Sequence, residues 1–158
     1  MAFSLPKLFG QHSISQNLME NLQVNKIDND QDLEKAFAIR RTVFVGEQNC
    51  PPELEYENED VSTHFLATIN NLPAGACRWR KTDAGYKLER FAVLKDYRGK
   101  GLGQALVTAV LADLPPDAAY VYLNAQIDAM GLYSKFGFVA EGEQFEEAGI
   151  QHFKMVKK

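Results

Sequence analysis

Cysteine is scarce in this sequence: its 158 residues carry two, Cys50 and Cys77. A chain of that length buries roughly two thirds of the surface that its unfolded form exposes, so its core has no need of a disulfide, and a reducing cytoplasm is the expected setting. Neither cysteine has metal-type partners at ligand spacing, and no metal site is expected. Long apolar runs are lacking too. None approaches the roughly 18 residues of a spanning helix, so no membrane partner is expected. The opening MAFSLPKLFGQHSISQ holds a single lysine and no continuous apolar stretch, which argues against a secretory signal. Positive charge is in deficit, with a formal net charge of −4. A protein whose main partner is a nucleic-acid backbone needs clustered positive charge, so nucleic acid is excluded as a partner.

What is present fits one domain without internal repeats. Residues 1–22 read as an N-terminal extension with a short helix over Leu18–Leu22, and residues 23–158 as the folded domain. A first strand is expected at Val24–Ile27. Asp28, Asn29, Asp30 and Asp32 then offer caps for a helix, whose apolar positions Ala36, Phe37, Val43 and Phe44 recur at helical spacing and whose C-terminal part carries Arg40 and Arg41. The segment 47–60, EQNCPPELEYENED, reads as a loop. A three-strand meander follows at Thr63–Asn70, Ala74–Thr82 and Tyr86–Leu94, with Asp83-Ala84-Gly85 as a hairpin turn. Beyond it come a helix that stops at Pro115-Pro116, a strand at Tyr120–Ile127, a short helix capped by Asp128 and ended by Gly137, and strands near Phe138–Glu141 and Gln151–Val156. Strand, helix, strand across the middle of the chain implies a right-handed crossover and one parallel pair in an otherwise antiparallel sheet. The fold class is mixed α+β.

The most informative stretch is Leu88–Leu111, LERFAVLKDYRGKGLGQALVTAVL. A strand pattern runs through a charged turn into Gly99-Lys100-Gly101-Leu102-Gly103 and then directly into an apolar-periodic helix. Glycines let the backbone approach an anion, successive amides point into the loop, and the helix dipole adds a positive field. A Walker loop is absent, and a G-x-G-x-x-G fingerprint is broken by Gln104. Three alternating glycines ahead of a helix are more than a tight turn requires.

Arg98-Gly99-Lys100-Gly101-Leu102-Gly103 resembles the R/Q-x-x-G-x-G/A signature of the GNAT superfamily of N-acetyltransferases. Gln126-x-x-Ala129-x-x-x-Tyr133-x-x-x-Gly137-Phe138 is similar to that superfamily's second signature, N-x-x-A-x-x-x-Y-x-x-x-G-F, with Gln126 in place of the usual Asn. Each stands at a strand-to-helix junction, and the likeness spans about residues 24–157. Arg40 to Pro51, RRTVFVGEQNCP, is also similar to the R-x-x-V-F-x-x-E-Q-N-C-P segment of ElaA-like acyltransferases.

The resemblance implies the GNAT fold, a mostly antiparallel twisted sheet with a splayed parallel pair, and acetyl-CoA as co-substrate in a monomer or homodimer. The backbone of Phe91, Ala92 and Val93 would pair with the pantetheine arm. The amides of residues 99–104 (Gly99, Lys100, Gly101, Leu102, Gly103, Gln104) would hold the pyrophosphate, with charge added by Arg98 and Lys100, although Lys100 equally suits a solvated face. Gln126 is a further cofactor-side candidate. Tyr133 is the expected general acid, because a phenol is protonated at neutral pH and supplies a proton to the departing thiolate; otherwise it is a core aromatic beside Leu132 and Phe136.

Glu89 either deprotonates the acceptor ammonium, attracts it, or holds Arg78 or Arg90. His152, beyond an acidic loop at Glu141–Gly149, has base chemistry available, and a strand histidine is otherwise structural. Glu47 and Gln48 are placed at the acceptor pocket, or else serve as ordinary caps. The acidic run Glu53, Glu55, Glu57, Glu59, Asp60 either attracts a cation or is solvated. Nothing near Cys50 in sequence activates it, which favours direct transfer over an acyl-cysteine. The expected activity is acetylation of a primary amine. A CoA-binding sensor without turnover and a nucleotide-binding module are the rival readings.

Overall fold

The computed structural model describes residues 20–158. Seven strands form one sheet: β1 (Leu22–Lys26), β2 (Ser62–Ile69), β3 (Leu72–Lys81), β4 (Tyr86–Val93), β5 (Val121–Gln126), β6 (Phe138–Glu147) and β7 (Ile150–Lys157). Their spatial order is β1-β2-β3-β4-β5-β7-β6, antiparallel throughout except for β4 and β5. This is the mixed α+β sheet with one parallel pair expected from the element order.

Helix α1 (Asp30–Arg40) starts where the polar cluster allows: the Asn29 side chain accepts the Asp32 amide at 2.8 Å, and Asp30 and Asp32 stand in the positive first turn. Helix α3 (Leu102–Asp113) buries Leu102, Leu106 and Val110, one stripe at a four-residue interval, together with Val107. It stops before Pro115-Pro116, which cannot continue a helix. The two helices cover opposite faces of the sheet. In β2, Phe65 and Ala67 join the cluster under α3, while Leu66 between them joins Ala36, Ile39 and Val43 on the α1 side, as the two-residue strand period requires.

Two irregularities of β4 place the site. Its parallel ladder with β5 consists of Tyr86↔Val121, Lys87↔Tyr122 and Leu88↔Leu123, after which both strands continue without pairing to each other. Just beyond that point β4 bulges. Arg78 pairs with Glu89 and Ala76 with Ala92, so Arg90 and Phe91 together oppose Cys77, and Arg90 takes φ +60°.

Several expectations are corrected. The helix over Leu18–Leu22 lies partly outside the described residues, and Leu22 itself opens β1, held by Ile69 opposite it. Helix α1 runs on into a π-helical segment, Arg41–Glu47, and the supposed loop 47–60 contains a short helix α2 (Pro52–Glu55) begun by proline at its first turn. Asp128 caps no helix by its side chain; it lies in a 3₁₀ turn, Ile127–Ala129, ahead of helix α4 (Met130–Ser134). The acidic loop at 141–149 is strand: β6 persists to Glu147 and turns back through Ala148 (φ +50°) and Gly149 (φ +81°), a tight hairpin that charge content conceals.

Candidate active site

Where β4 and β5 part, the sheet opens a cavity of about 290 Å³, lined among others by Phe91, Tyr133, Gln126, Gln48, Glu89 and His152. Residues far apart in sequence meet there because the splay leaves two strand ends with no neighbour between them. Phe91 lines the cavity, whereas the Ala92 side chain packs in the core under α1.

The glycine loop lies at the C-terminal end of β4. Gly99 and Gly101 adopt φ +79° and +88°, a backbone that residues with a Cβ enter only at a cost. Space is not the reason for these glycines, because a Cβ at either position would meet nothing within 4 Å. Ala105 donates to the Gly101 carbonyl at 3.1 Å, so the amides of the helix ahead of it lie in the first turn, where a helix has no backbone acceptor of its own to offer. Arg98 donates to both carboxylate oxygens of Glu47 at 2.8 and 3.0 Å and to the Val93 carbonyl at 3.0 Å. Glu47, expected at the acceptor pocket, instead ties the π-helical segment to the loop and is not among the cavity-lining residues. Lys100 pairs with Glu20 at 2.8 Å.

Tyr133 is 6% exposed, edge-on to Phe91 and Phe138 at 5.5 and 6.2 Å. Burial pushes its phenol above the ordinary value, reinforced by the buried Cys77. The group therefore keeps its proton, as an acid for a thiolate must. Gln126 and Gln48 form a reciprocal amide pair, Gln126 Nε2 donating to Gln48 Oε1 at 2.9 Å and Gln48 Nε2 to Gln126 Oε1 at 3.4 Å. The cofactor-side candidate and the acceptor-side candidate thus meet across the splay.

The surroundings of Glu89 disfavour it as a base. Its carboxylate accepts from Arg80 Nε at 2.6 Å and from Arg78 Nη2 at 3.0 Å, with Lys87 Nζ at 3.2 Å. Burial alone pushes the carboxyl up, but these cations override it and hold the group at about 2. So acidic a carboxyl has little affinity for an ammonium proton. Of the alternatives, the reading that it holds Arg78 matches the geometry. Cys50 borders the cavity, and burial pushes its thiol up despite Arg90 nearby, so the thiolate needed for an acyl-cysteine is disfavoured. His64 Nε2 donates to the Glu59 carbonyl, 3.1 Å away and outside the cavity lining, and His12 lies outside the described residues.

The sequence reading missed a buried ion network behind the cavity wall. Arg40 (1% exposed) donates to Glu55 at 2.7 Å and to Glu59 at 2.7 Å; Arg78 (0% exposed) binds Glu59 and Glu89. Arg90 stands 3.7 Å from Glu55 and 3.6 Å from Glu57. Glu55 and Glu59 of the acidic run are therefore neither solvated nor waiting for a cation. A signal existed: Ala36, Ile39, Arg40 and Val43 share one helical stripe, which places Arg40 among core positions, where a charge requires a partner.

Comparison with known proteins gives the family and the fold. The sequence profile of the acetyltransferase (GNAT) domain matches residues 27–158, and the chain belongs to that family. It has the acyl-CoA N-acyltransferase fold and is an acyltransferase. Within the family it is 40% identical over 132 residues to YjcF of Bacillus subtilis, an uncharacterised N-acetyltransferase, covering 82% of this chain and 94% of that protein. The crystal structure of Escherichia coli ElaA superposes with a TM-score of 0.76 at 29% identity, covering 89% of this chain and all of the other. An acyl-CoA N-acyltransferase from Pseudomonas aeruginosa gives 0.71 at 26% identity, covering 88% and 99%. Among the described residues no helix is long and apolar enough to cross a membrane.

Proposed function

We propose that this protein transfers the acetyl group of acetyl-CoA to a primary amine of a small molecule by direct attack. The observation that carries the reading is the splay of β4 from β5, with the glycine loop at the end of β4 and Tyr133 in the cavity between the strands. In this reading the backbone of Phe91, Ala92 and Val93 takes the pantetheine arm as an added strand. The amides of residues 99–104 hold the diphosphate, whose charge suits the helix N-terminus. Gln126 on the cofactor side meets Gln48 on the acceptor side, and Arg98, through Glu47, fixes the loop to the π-helical segment.

The amine nitrogen attacks the thioester carbonyl carbon, and the C–S bond breaks as the tetrahedral species collapses. The leaving thiolate takes the proton of the Tyr133 hydroxyl, which is recovered from the newly acylated nitrogen. Direct transfer fits a Cys50 thiol that burial keeps protonated. The test is an amine panel assayed by release of the CoA thiol, beside thermal stabilisation by acetyl-CoA. Stabilisation with thiol release for at least one amine is expected. Stabilisation without release from any amine would favour a CoA-binding sensor.

A further inference from the structure

The removal of Glu89 leaves the proposed reaction without a base, and the C-terminal hairpin carries one. We infer that His152 takes the proton from the acceptor ammonium through Nε2, and that Glu147 positions that ammonium. This inference rests on the amine-transfer reading above.

His152 faces Gln126 in the β5–β7 ladder and Phe145 in the β6–β7 ladder. It is 7% exposed, lines the cavity together with Tyr133, and stacks on the Phe145 ring at 5.7 Å with an interplanar angle of 21°. Its Nδ1 stands 2.7 Å from the Ile150 carbonyl oxygen. A carbonyl only accepts, so Nδ1 carries the ring hydrogen and Nε2 keeps its lone pair. Ring stacking and the backbone bond fix both the tautomer and the plane.

Among the described residues Nε2 makes no hydrogen bond; the nearest acid is Glu147 Oε2 at 3.7 Å, and Glu147 also lines the cavity. That gap is too long for a direct bond and suits a shared ammonium, one N–H directed at each atom. The tight turn through Ala148 and Gly149 brings Glu147 back over His152. The bulge of β6 between Glu141 and Phe145 shifts the register and so sets Phe145 opposite the imidazole.

The proton count closes. Nε2 takes one proton from R–NH₃⁺, leaving R–NH₂ with a lone pair. That pair forms the new C–N bond, the thiolate leaves with the Tyr133 proton, and the second nitrogen-bound proton restores Tyr133. His152 then releases its proton to water, so the net reaction yields amide, CoA thiol and one proton.

The test uses acetyl-CoA with ethylamine, an ammonium at neutral pH, and with trifluoroethylamine, whose fluorines leave it largely unprotonated. His152→Asn keeps a donor for the Ile150 carbonyl and lacks Nε2. It should lower kcat/KM for ethylamine about 100-fold, the usual scale of general-base catalysis, while trifluoroethylamine turnover stays near wild type. Glu147→Gln should raise KM for ethylamine several-fold with little change in kcat. Imidazole-nitrogen NMR of the wild type should report the Nδ1–H tautomer.

Equal losses on both amines, with acetyl-CoA stabilisation intact, would remove His152 as the base and leave the amine reading standing. So would the opposite tautomer. Thiol release with neither of these amines nor with any other of the panel, with acetyl-CoA still bound, would overturn the amine reading itself and this inference with it.

Discussion

The two walls of the proposed site, of whose cofactor side only β4 reaches the cavity lining, are built by different physics. The cofactor-side wall, from the end of β4 through the glycine loop into α3, is local: one continuous run whose helix is anchored by Leu102, Leu106, Val107 and Val110. The acceptor-side wall gathers the π-helical segment, α2, the segment 56–60 and the β6–β7 hairpin, held by the ion network of Arg40, Arg78, Glu55, Glu59 and Glu89 and by the Gln48–Gln126 pair. In the proposed reading a wall of backbone amides recognises what every reaction of the family shares. A wall of side chains from distant segments is free to differ with the acceptor.

Arg40→Met breaks the acceptor wall most sharply. It leaves the buried Glu55 and the half-buried Glu59 beside a vacancy, and removing one partner of a buried pair costs about 3–5 kcal/mol. A melting-temperature loss of about 10 °C is expected, with acetyl-CoA still raising the transition. If stability is unchanged, the network is not what holds this wall. Adding Glu55→Leu should restore part of the loss, since Glu55 Oε2 already lacks a hydrogen bond.

On the other wall, Gly101→Glu should weaken acetyl-CoA binding by about 100-fold or more. The left-handed backbone costs a non-glycine residue roughly 1–2 kcal/mol, and the new carboxylate repels the diphosphate. Titration calorimetry reads this directly, and unaltered affinity would move the cofactor elsewhere. Tyr133→Phe tests the meeting point of the walls: kcat should fall about 100-fold with acetyl-CoA affinity preserved. An undiminished kcat would make Tyr133 a packing residue.

Acid should act on Glu89. Its folded-state value, about 2, lies below the ordinary 4.5, so its contribution is fully present above that ordinary value and is lost as pH falls from about 4.5 through about 2. Denaturant titrations should show a steeper loss across that window in the wild type than in Glu89→Gln, which starts less stable at neutral pH. Parallel curves would remove this carboxylate from the acid response. The smallest effect belongs to Glu47→Gln: the exposed Arg98–Glu47 pair contributes about 1 kcal/mol or less to stability. Any large change in its melting temperature would mean that the two walls are coupled more tightly than this contact implies.

The glycine loop and the helix after it are legible in the sequence because each of their signals is short-range. Gly99, Gly101 and Gly103 alternate ahead of an apolar stripe, and two prolines mark the helix end. The acceptor wall is not. Whether Glu89 is a base or an arginine partner stays open in the sequence because nothing along the chain brings Arg78 and Arg80 to its carboxylate; cross-strand register does that, while Lys87 shares its face two residues back on the same strand. The hairpin 141–149 read as a loop because its acidic side chains mask a strand of which nearly every residue is exposed, as expected at the edge of a sheet. Asp128 read as a cap because capping residues are common there by type, and only the observed 3₁₀ turn shows that its side chain is not used.

By itself the sequence determined the element order, the parallel crossover and the glycine loop, since these follow from periodicities and backbone freedoms that act within a few residues. Tertiary structure alone decided which charges are spent on one another and which nitrogen of His152 keeps its lone pair. Those are matters of register and burial, set when strands distant in the chain come to lie side by side.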